Sequence, residues 1–586
     1  MPFSRGIFEF VNPCSGSRNC SATYRPLILT ARSRLISLVT SVLFITCLRA
    51  GAQVGVDAFN PNPNNMVITT AIQPDGKILV GGYFDNVGGQ AGNYLARLNP
   101  DGSPDLAFIP AVSALTYPAV GCISLQPDGK ILVGSGFLNS DGRTRNYLSR
   151  LNPNGTLDTA FKLIAADNYM YSLVVLSNGQ ILACGPFNTI GGQSRPGLAR
   201  LNSDGTVDTN FNARVGGSVC TTALQPDGKI VVGGYFTNLA GASRTNIGRL
   251  NADGTLDAAF NPGADAGVTG ILIQPDGNIL VCGAFTNLVG TNRTSLGRLH
   301  TNGAIDTTFN PAPSGGTPFN VVYSMVLQTD GKIVVGGNFA MLGGKPQNFV
   351  GRLNTNGSLD AAFTATASGR YGNGPNPAVY GLALQADGGL VVCGNFTYMG
   401  TQPRNNLGRV TNSLLAVQSL SLNPGGTTLT WNRSGPGPEV SSVTFESSTD
   451  GANYRLLGSG SRISGGWQLT GLSISSTQRV FVRARGVSPG GDLTGSISLI
   501  ESVNEFFGST AVTLLTNLTV LGNGAFQFGF ANPNSNFTVL ATSDFTLPLS
   551  NWTVLGPATQ VSPGHFQFTD SQAANYPIRF YRVRSP

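Results

Sequence analysis

Histidine is almost missing: His300 and His565 are the only two in 586 residues. So few argue against Ser-His-Asp and Cys-His nucleophilic centres and against a histidine-rich metal site. Glutamate is absent altogether between residues 54 and 414, where every one of the 20 carboxylates is an aspartate. Charged residues make up only 11% of the chain, too few for long solvated helices. Of eight cysteines, five follow residue 52, and Cys184, Cys282 and Cys393 take the same slot in different copies of a repeat. An odd number with no close spacing fits neither a disulfide framework nor a metal cluster, so these thiols read as small buried apolar groups.

Charge is also scarcer than it first looks. The formal net charge of +7 includes six arginines and one glutamate in residues 1–52, which leaves a surplus of about two positive charges in the rest. No clustered basic surplus remains for nucleic acid. Within 1–52, Arg32 and Arg34 precede the apolar stretch LISLVTSVLFITCL (35–48) and the small residues Ala50-Gly51-Ala52. This is the order of a secretory signal peptide, too short to span a bilayer comfortably, with cleavage expected near Ala52. An uncleaved anchor is the alternative. The rest of the chain carries no apolar span, and a secreted or cell-surface bacterial protein is expected.

Glycine, by contrast, is abundant at 77 residues. It punctuates an internal repeat whose first turn falls at Asp75-Gly76, Asp128-Gly129, Asn178-Gly179, Asp227-Gly228, Asp276-Gly277, Asp330-Gly331 and Asp387-Gly388. A second element follows six of these turns, from RLNPDG at 97 to RLNTNG at 352, and decays to RVTN at 409. Asp-Gly and Asn-Gly between short apolar runs mark hairpins, so each copy reads as four antiparallel strands. Four strands of this length cannot bury both faces alone. Seven copies packed radially give a seven-bladed β-propeller over 54–414. The seventh copy lacks the D-x-x-F element that ends the others, while Asp57 and Phe59 of VDAFNP (56–61) match it minus one residue. A clasp between first and last blades is expected from it.

The pattern LQPDGKILVGG…RLNPDGS resembles the delta-60 repeat family of bacterial secreted and surface proteins, and its diglycine after a strand is similar to kelch-type blades. The resemblance implies a propeller-like array and brings no common activity with it. Residues 416–503, with Trp431, SSTDGANY (447–454) and VFVRAR (480–485), resemble a fibronectin type III sandwich. Residues 504–586 alternate apolar and aromatic residues and read as a second small β-sandwich-like module, similar to the C-terminal modules of secreted proteins from repeat-rich bacteria. The whole is all-β.

Most aspartates are accounted for by this architecture. Six sit in first turns, three in second turns, and seven in D-x-x-F. The last seven face Arg97, Arg150, Arg200, Arg249, Arg298, Arg352 and Arg409 across a hairpin, where pairing would fix register. The stretch NPDGSPD (99–105) is the nearest thing to a calcium loop, but three copies replace its turn Asp by Asn. A turn tolerates that exchange; a cation does not. No metal, cofactor or catalytic residue is therefore expected.

The long loops are the candidate recognition surface. Arg145, Arg195, Arg244, Arg293 and Arg404 each precede the repeat arginine by five residues, and Lys345 stands nearby in copy six. With Tyr117, Tyr169 and Tyr371 they would form a cationic, aromatic ring suited to an anionic glycan, another extracellular polysaccharide or a surface protein. Local loop contacts and solvation are the plainer reading of the same residues. A non-enzymatic binding protein is the favoured function. The alternatives are a polysaccharide lyase or hydrolase, with Tyr and Arg doing β-elimination, or a structural envelope component. Because a motif repeated around a ring argues for scaffold, any specificity should lie where the copies differ.

Overall fold

The computed structural model describes residues 10–11 and 55–584, apart from 93, 111–118, 139–143, 370–375, 413, 424, 475–478, 493–495, 507–514, 532–536, 544–550 and 577. The expected leader thus lies almost wholly outside the described residues. Among the described residues no helix is long and apolar enough to cross a membrane.

Seven three-stranded antiparallel units follow one another. In the first, an inner strand Val67–Ile72 pairs with Ile78–Gly82, which pairs with Leu95–Leu98. Gly76 takes a φ of 80° in the first turn, where a side chain would be strained. Inner strands touch in cyclic order, and Val67–Ile72 meets Ala378–Leu384 of the seventh unit, so the ring closes. Valine, isoleucine and leucine on both faces of each unit fill the wedges between blades. One such cluster joins Val80 and Leu98 to Val391 and Leu407.

The fourth strand is shorter than its sequence suggests. It shrinks to one bridge per blade, such as Leu98 with Pro104, because D-x-x-F is a turn: the Phe108 amide donates to the Asp105 carbonyl at 3.1 Å. That turn carries a clamp. Arg97 Nε donates to Asp105 at 2.7 Å, its guanidinium lies 4.5 Å from the Phe108 ring centre, and Nη1 reaches the Pro153 carbonyl of the next blade. The same contacts recur at Arg150, Arg200, Arg249 and Arg298, whose Nη1 atoms bind Ser203, Ala252, Thr301 and Thr355. Each repeat arginine therefore sets register within its blade and also ties that blade to its neighbour. The lysine of Asp-Gly-Lys joins the same carboxylate in four blades. Together Lys130 and Arg150 hold the Asp158 carboxyl down at about 2.

These partners differ in worth. Arg249 is 9% exposed at its side chain and Lys229 34%, both on Asp257. Arg249→Ala leaves the buried Asp257 carboxylate with only the more exposed Lys229 and breaks the tie to Thr301, at a cost on the order of 2–4 kcal/mol. Lys229→Ala should cost about 1 kcal/mol or less. Denaturant midpoints measure both; equal losses would refute the clamp.

The N-terminal clasp is present. Val56 bridges Val410, Arg409 donates to Asp57 at 2.7 Å, and Phe59, 1% exposed, lies under Arg409. Arg409 Nη1 then binds the Pro100 carbonyl of the first blade at 2.6 Å, which completes the circle of clamps.

Beyond the propeller, one sheet (417–422, 429–434, 466–469, 461–463) packs on a second (455–459, 442–448, 480–489, 497–506) around Trp431 and Phe445. The last unit pairs two four-stranded groups around Phe528, Phe530 and Tyr581.

The first of these modules is not merely tethered. The hairpin between Val480–Pro489 and Ile497–Phe506 enters the ring of inner strands from the turn face. Gly491 and Asp492 pair with Met325 and Ser324 of blade six, and Ile497 pairs with Ser124 of blade two. In blade one, Ser496 Oγ meets Thr69 Oγ1 at 2.7 Å, and the Ile72 amide donates to Ser498 Oγ at 2.9 Å. Inner strands of a propeller present unpaired edges to the central channel, and the hairpin satisfies part of them. A Cβ on Gly270 would collide with the Gly491 carbonyl, so blade five is close as well.

Candidate functional site: the channel mouth

The loop arginines do not form the expected cationic ring. Arg195, Arg244, Arg293 and Arg404 are between 6% and 8% exposed. Each guanidinium is turned under its own hairpin and donates to the carbonyl of the preceding residue and to the D-x-x-F turn. Arg244, for instance, binds Ser243, Ala258 and Phe260. Arg195 reaches Thr209, Arg293 reaches Thr307, and Arg404 reaches Asp57. In copy six Gln347 takes this slot and donates to Ala365 and Val350, while Lys345 stands exposed on a small outer hairpin. Arg145 lies on the strand Thr144–Leu151; its side chain, like Tyr117 and Tyr371, lies outside the described residues. The fixed spacing that suggested a ring is the spacing a repeated internal contact requires.

Aromatic residues do gather, at the long-loop end of the channel. In six blades the inner strand carries a β-bulge at one place, occupied by Ile68, Gly121, Cys220, Thr269, Tyr323 and Tyr380. A bulge frees one side chain from the pleat and re-aims it. In the third blade Tyr171 stands at the matching point, its amide on the Cys184 carbonyl at 2.8 Å. Tyr323 and Tyr380, from adjacent blades, have ring centres 5.4 Å apart and tilted by 58°.

Three more phenols complete the group. Tyr83 and Tyr235 follow the diglycine in copies one and four, and Tyr169 precedes the third inner strand. Tyr83 and Tyr380 lie within electrostatic reach of each other, as do Tyr235 and Tyr323, and Tyr171 lies within reach of both Tyr83 and Tyr169. Blades one and three are not neighbours, nor are four and six. Residues from them come within such reach only near the axis. Tyr83, Tyr169 and Tyr235 are between 42% and 53% exposed, and the other three are half-buried. Large aromatic faces open to solvent and gathered at one end of the channel mark a binding surface rather than a core.

Burial pushes the Tyr380 phenol up to about 12, with neighbouring Tyr323 and Tyr83 adding to it. Tyr83, Tyr171, Tyr235 and Tyr323 move in the same direction, led in each by burial. At neutral pH they are uncharged and can both donate and accept hydrogen bonds. Burial raises Cys220, in its bulge, to about 12, so its thiol stays protonated. Among the described residues no group of three His, Cys, Asp or Glu could hold a metal ion. Tyr83 and Tyr235 escape a reading of the repeated motifs because they sit inside the repeated hairpin. Their signal is that this one position varies between copies: Tyr83, Gly136, Pro186, Tyr235, Ala284, Asn338 and Asn395.

Seven stretches, 73–108, 126–161, 176–211, 225–260, 274–309, 328–363 and 385–413, match the model described as a domain of unknown function (DUF5122) beta-propeller. The chain is a β-propeller repeat protein. No curated protein matches it. Among solved structures, Escherichia coli alpha-2-macroglobulin activated by porcine elastase is 11% identical with a TM-score of 0.13, over 90% of this chain and 48% of that one. The native conformation of the same E. coli protein gives 11% and 0.12, over 91% and 38%. The propeller chain spans less than half of either, and neither likeness extends to a shared fold.

Proposed function

We propose that this propeller is a secreted or cell-surface binding protein without enzymatic activity, and that its tyrosine-lined channel mouth takes the end of a glycan chain. The observation that carries the reading is the gathering of six partly exposed tyrosines from five blades at one end of the channel. Sugar rings offer apolar faces to stack on aromatic rings and hydroxyls for neutral phenols to bind. The burial of the loop arginines turns the expected ligand from an acidic polymer toward a neutral one. A lyase needs a base; phenols whose pKa is raised serve poorly. The leader-like N-terminus and the delta-60 resemblance support an extracellular location. The strand order of the first sandwich supports its fibronectin type III-like reading.

A glycan array with the chain from residue 53 onward tests this. Neutral oligosaccharides should bind, and Tyr83→Ala with Tyr235→Ala should weaken binding about tenfold, as two stacking contacts imply, without changing the melting temperature. Binding untouched by the double variant would sink the proposal. Product formation from any bound glycan would favour the enzyme instead.

A further inference from the structure

On the opposite face, where the first sandwich docks, lies a cleft of about 220 Å³. Pro275 and Thr329, from the first turns of blades five and six, form one wall; Arg433, Glu439, Arg462 and Trp467 of the sandwich form the other. The docking itself is well made: Thr329 donates to Gly437 through its amide and to Gly435 through its hydroxyl, both at 2.8 Å.

The two arginines are served differently. Arg462 Nη2 donates to Glu439 Oε1 at 2.6 Å and to the Val440 carbonyl at 2.7 Å, and its guanidinium lies 4.5 Å from the Trp467 ring centre. Arg433 is 8% exposed and stacks over Trp431 at 4.6 Å. Among the described residues its Nε and Nη1 are closed to solvent and have no acceptor, which leaves Nη2 as the nitrogen open to the cleft. Burial lowers Arg433 to about 10, with Arg462 adding to the shift and Glu439 opposing it; the group is still a cation at neutral pH. The cleft thus holds two guanidinium groups and one carboxylate, and that carboxylate is already engaged. A buried cation without a partner is costly, and an indole face offsets only part of that cost.

We propose that this cleft binds a small oxyanion, with Arg433 as its buried anchor and Arg462 at its rim. Carboxylates, such as the acid group of a uronic acid, and tetrahedral sulfate or phosphate share the acceptor chemistry that Arg433 lacks. The site lies away from the tyrosine mouth and stands or falls independently of it.

Calorimetry on the chain from residue 53, with acetate, glucuronate, sulfate and phosphate against chloride at matched ionic strength, tests the proposal. At least one anion should bind in a single-site isotherm and raise the melting temperature as its concentration passes the dissociation constant. Arg433→Met and Arg462→Gln should each weaken binding at least tenfold. If Arg433→Met does not fold, Arg462→Gln decides. Preference for sulfate and phosphate assigns a tetrahedral ligand, and preference for acetate and glucuronate a carboxylate. No binding by any of the four, or binding unchanged in Arg462→Gln, overturns the proposal.

Discussion

Cutting residues 54–62 from the chain should lower the melting temperature of the propeller by about 10 °C or more. The segment is short, but each of its contacts closes the ring. Phe59 is buried between the first and last blades, where loss of a phenylalanine costs about 3–5 kcal/mol. Asp57 is the acceptor of Arg409 Nε, and its carbonyl is the acceptor of Arg404 Nη2. Without it, the buried Arg404 and the half-buried Arg409 each lose an acceptor at once, and the clamp from Arg409 to Pro100 loses its anchor. At about 2–4 °C per kcal/mol for a large domain, Phe59 alone accounts for most of the fall. Phe59→Ala in the full chain should reproduce more than half of it. Scanning calorimetry on both variants is the measurement; an unchanged transition would mean that the ring is held shut elsewhere.

The clasp was legible in the sequence because a repeat exposes its own omissions. Once D-x-x-F appears in six copies, its absence from the seventh and a version one residue shorter at Asp57–Phe59 define one missing strand. The same regularity misled at the long loops. Arg195, Arg244, Arg293 and Arg404 recur at a constant interval, and constancy around a ring is what an internal clamp demands. The variable positions carried the surface. Tyr83 and Tyr235 replace smaller residues in a hairpin that otherwise repeats, and Tyr323 and Tyr380 fill bulges that side-chain alternation alone does not locate. The hairpin in the channel was invisible for a different reason. Its pairing joins residues such as Ser324 and Asp492, and nothing in a local pattern encodes a contact so distant in sequence.

That hairpin yields the second large effect. Replacing Gly490–Ser496 by a two-residue Asn-Gly turn, which two antiparallel strands accept, should withdraw the sandwich from the channel while leaving both folds intact. The pairing to Ser324 and Met325 and the Thr69–Ser496 contact would be lost, at about 1 kcal/mol for each hydrogen bond. Ser498, at the base of the hairpin, would shift as well. The Ile72 amide, whose acceptor is Ser498 Oγ, is the sharpest reporter: its hydrogen exchange should quicken by at least tenfold while amides between the middle and third strands, such as that of Val80, stay protected. Exchange at Ile72 that does not change would show that the hairpin is not what covers it. Neutral-glycan binding should survive the replacement, because the tyrosines belong to the bulges and loops at the far end. Loss of glycan binding together with faster exchange at Ile72 would instead mean that the hairpin sets the shape of the mouth, since the inner strands run from one to the other.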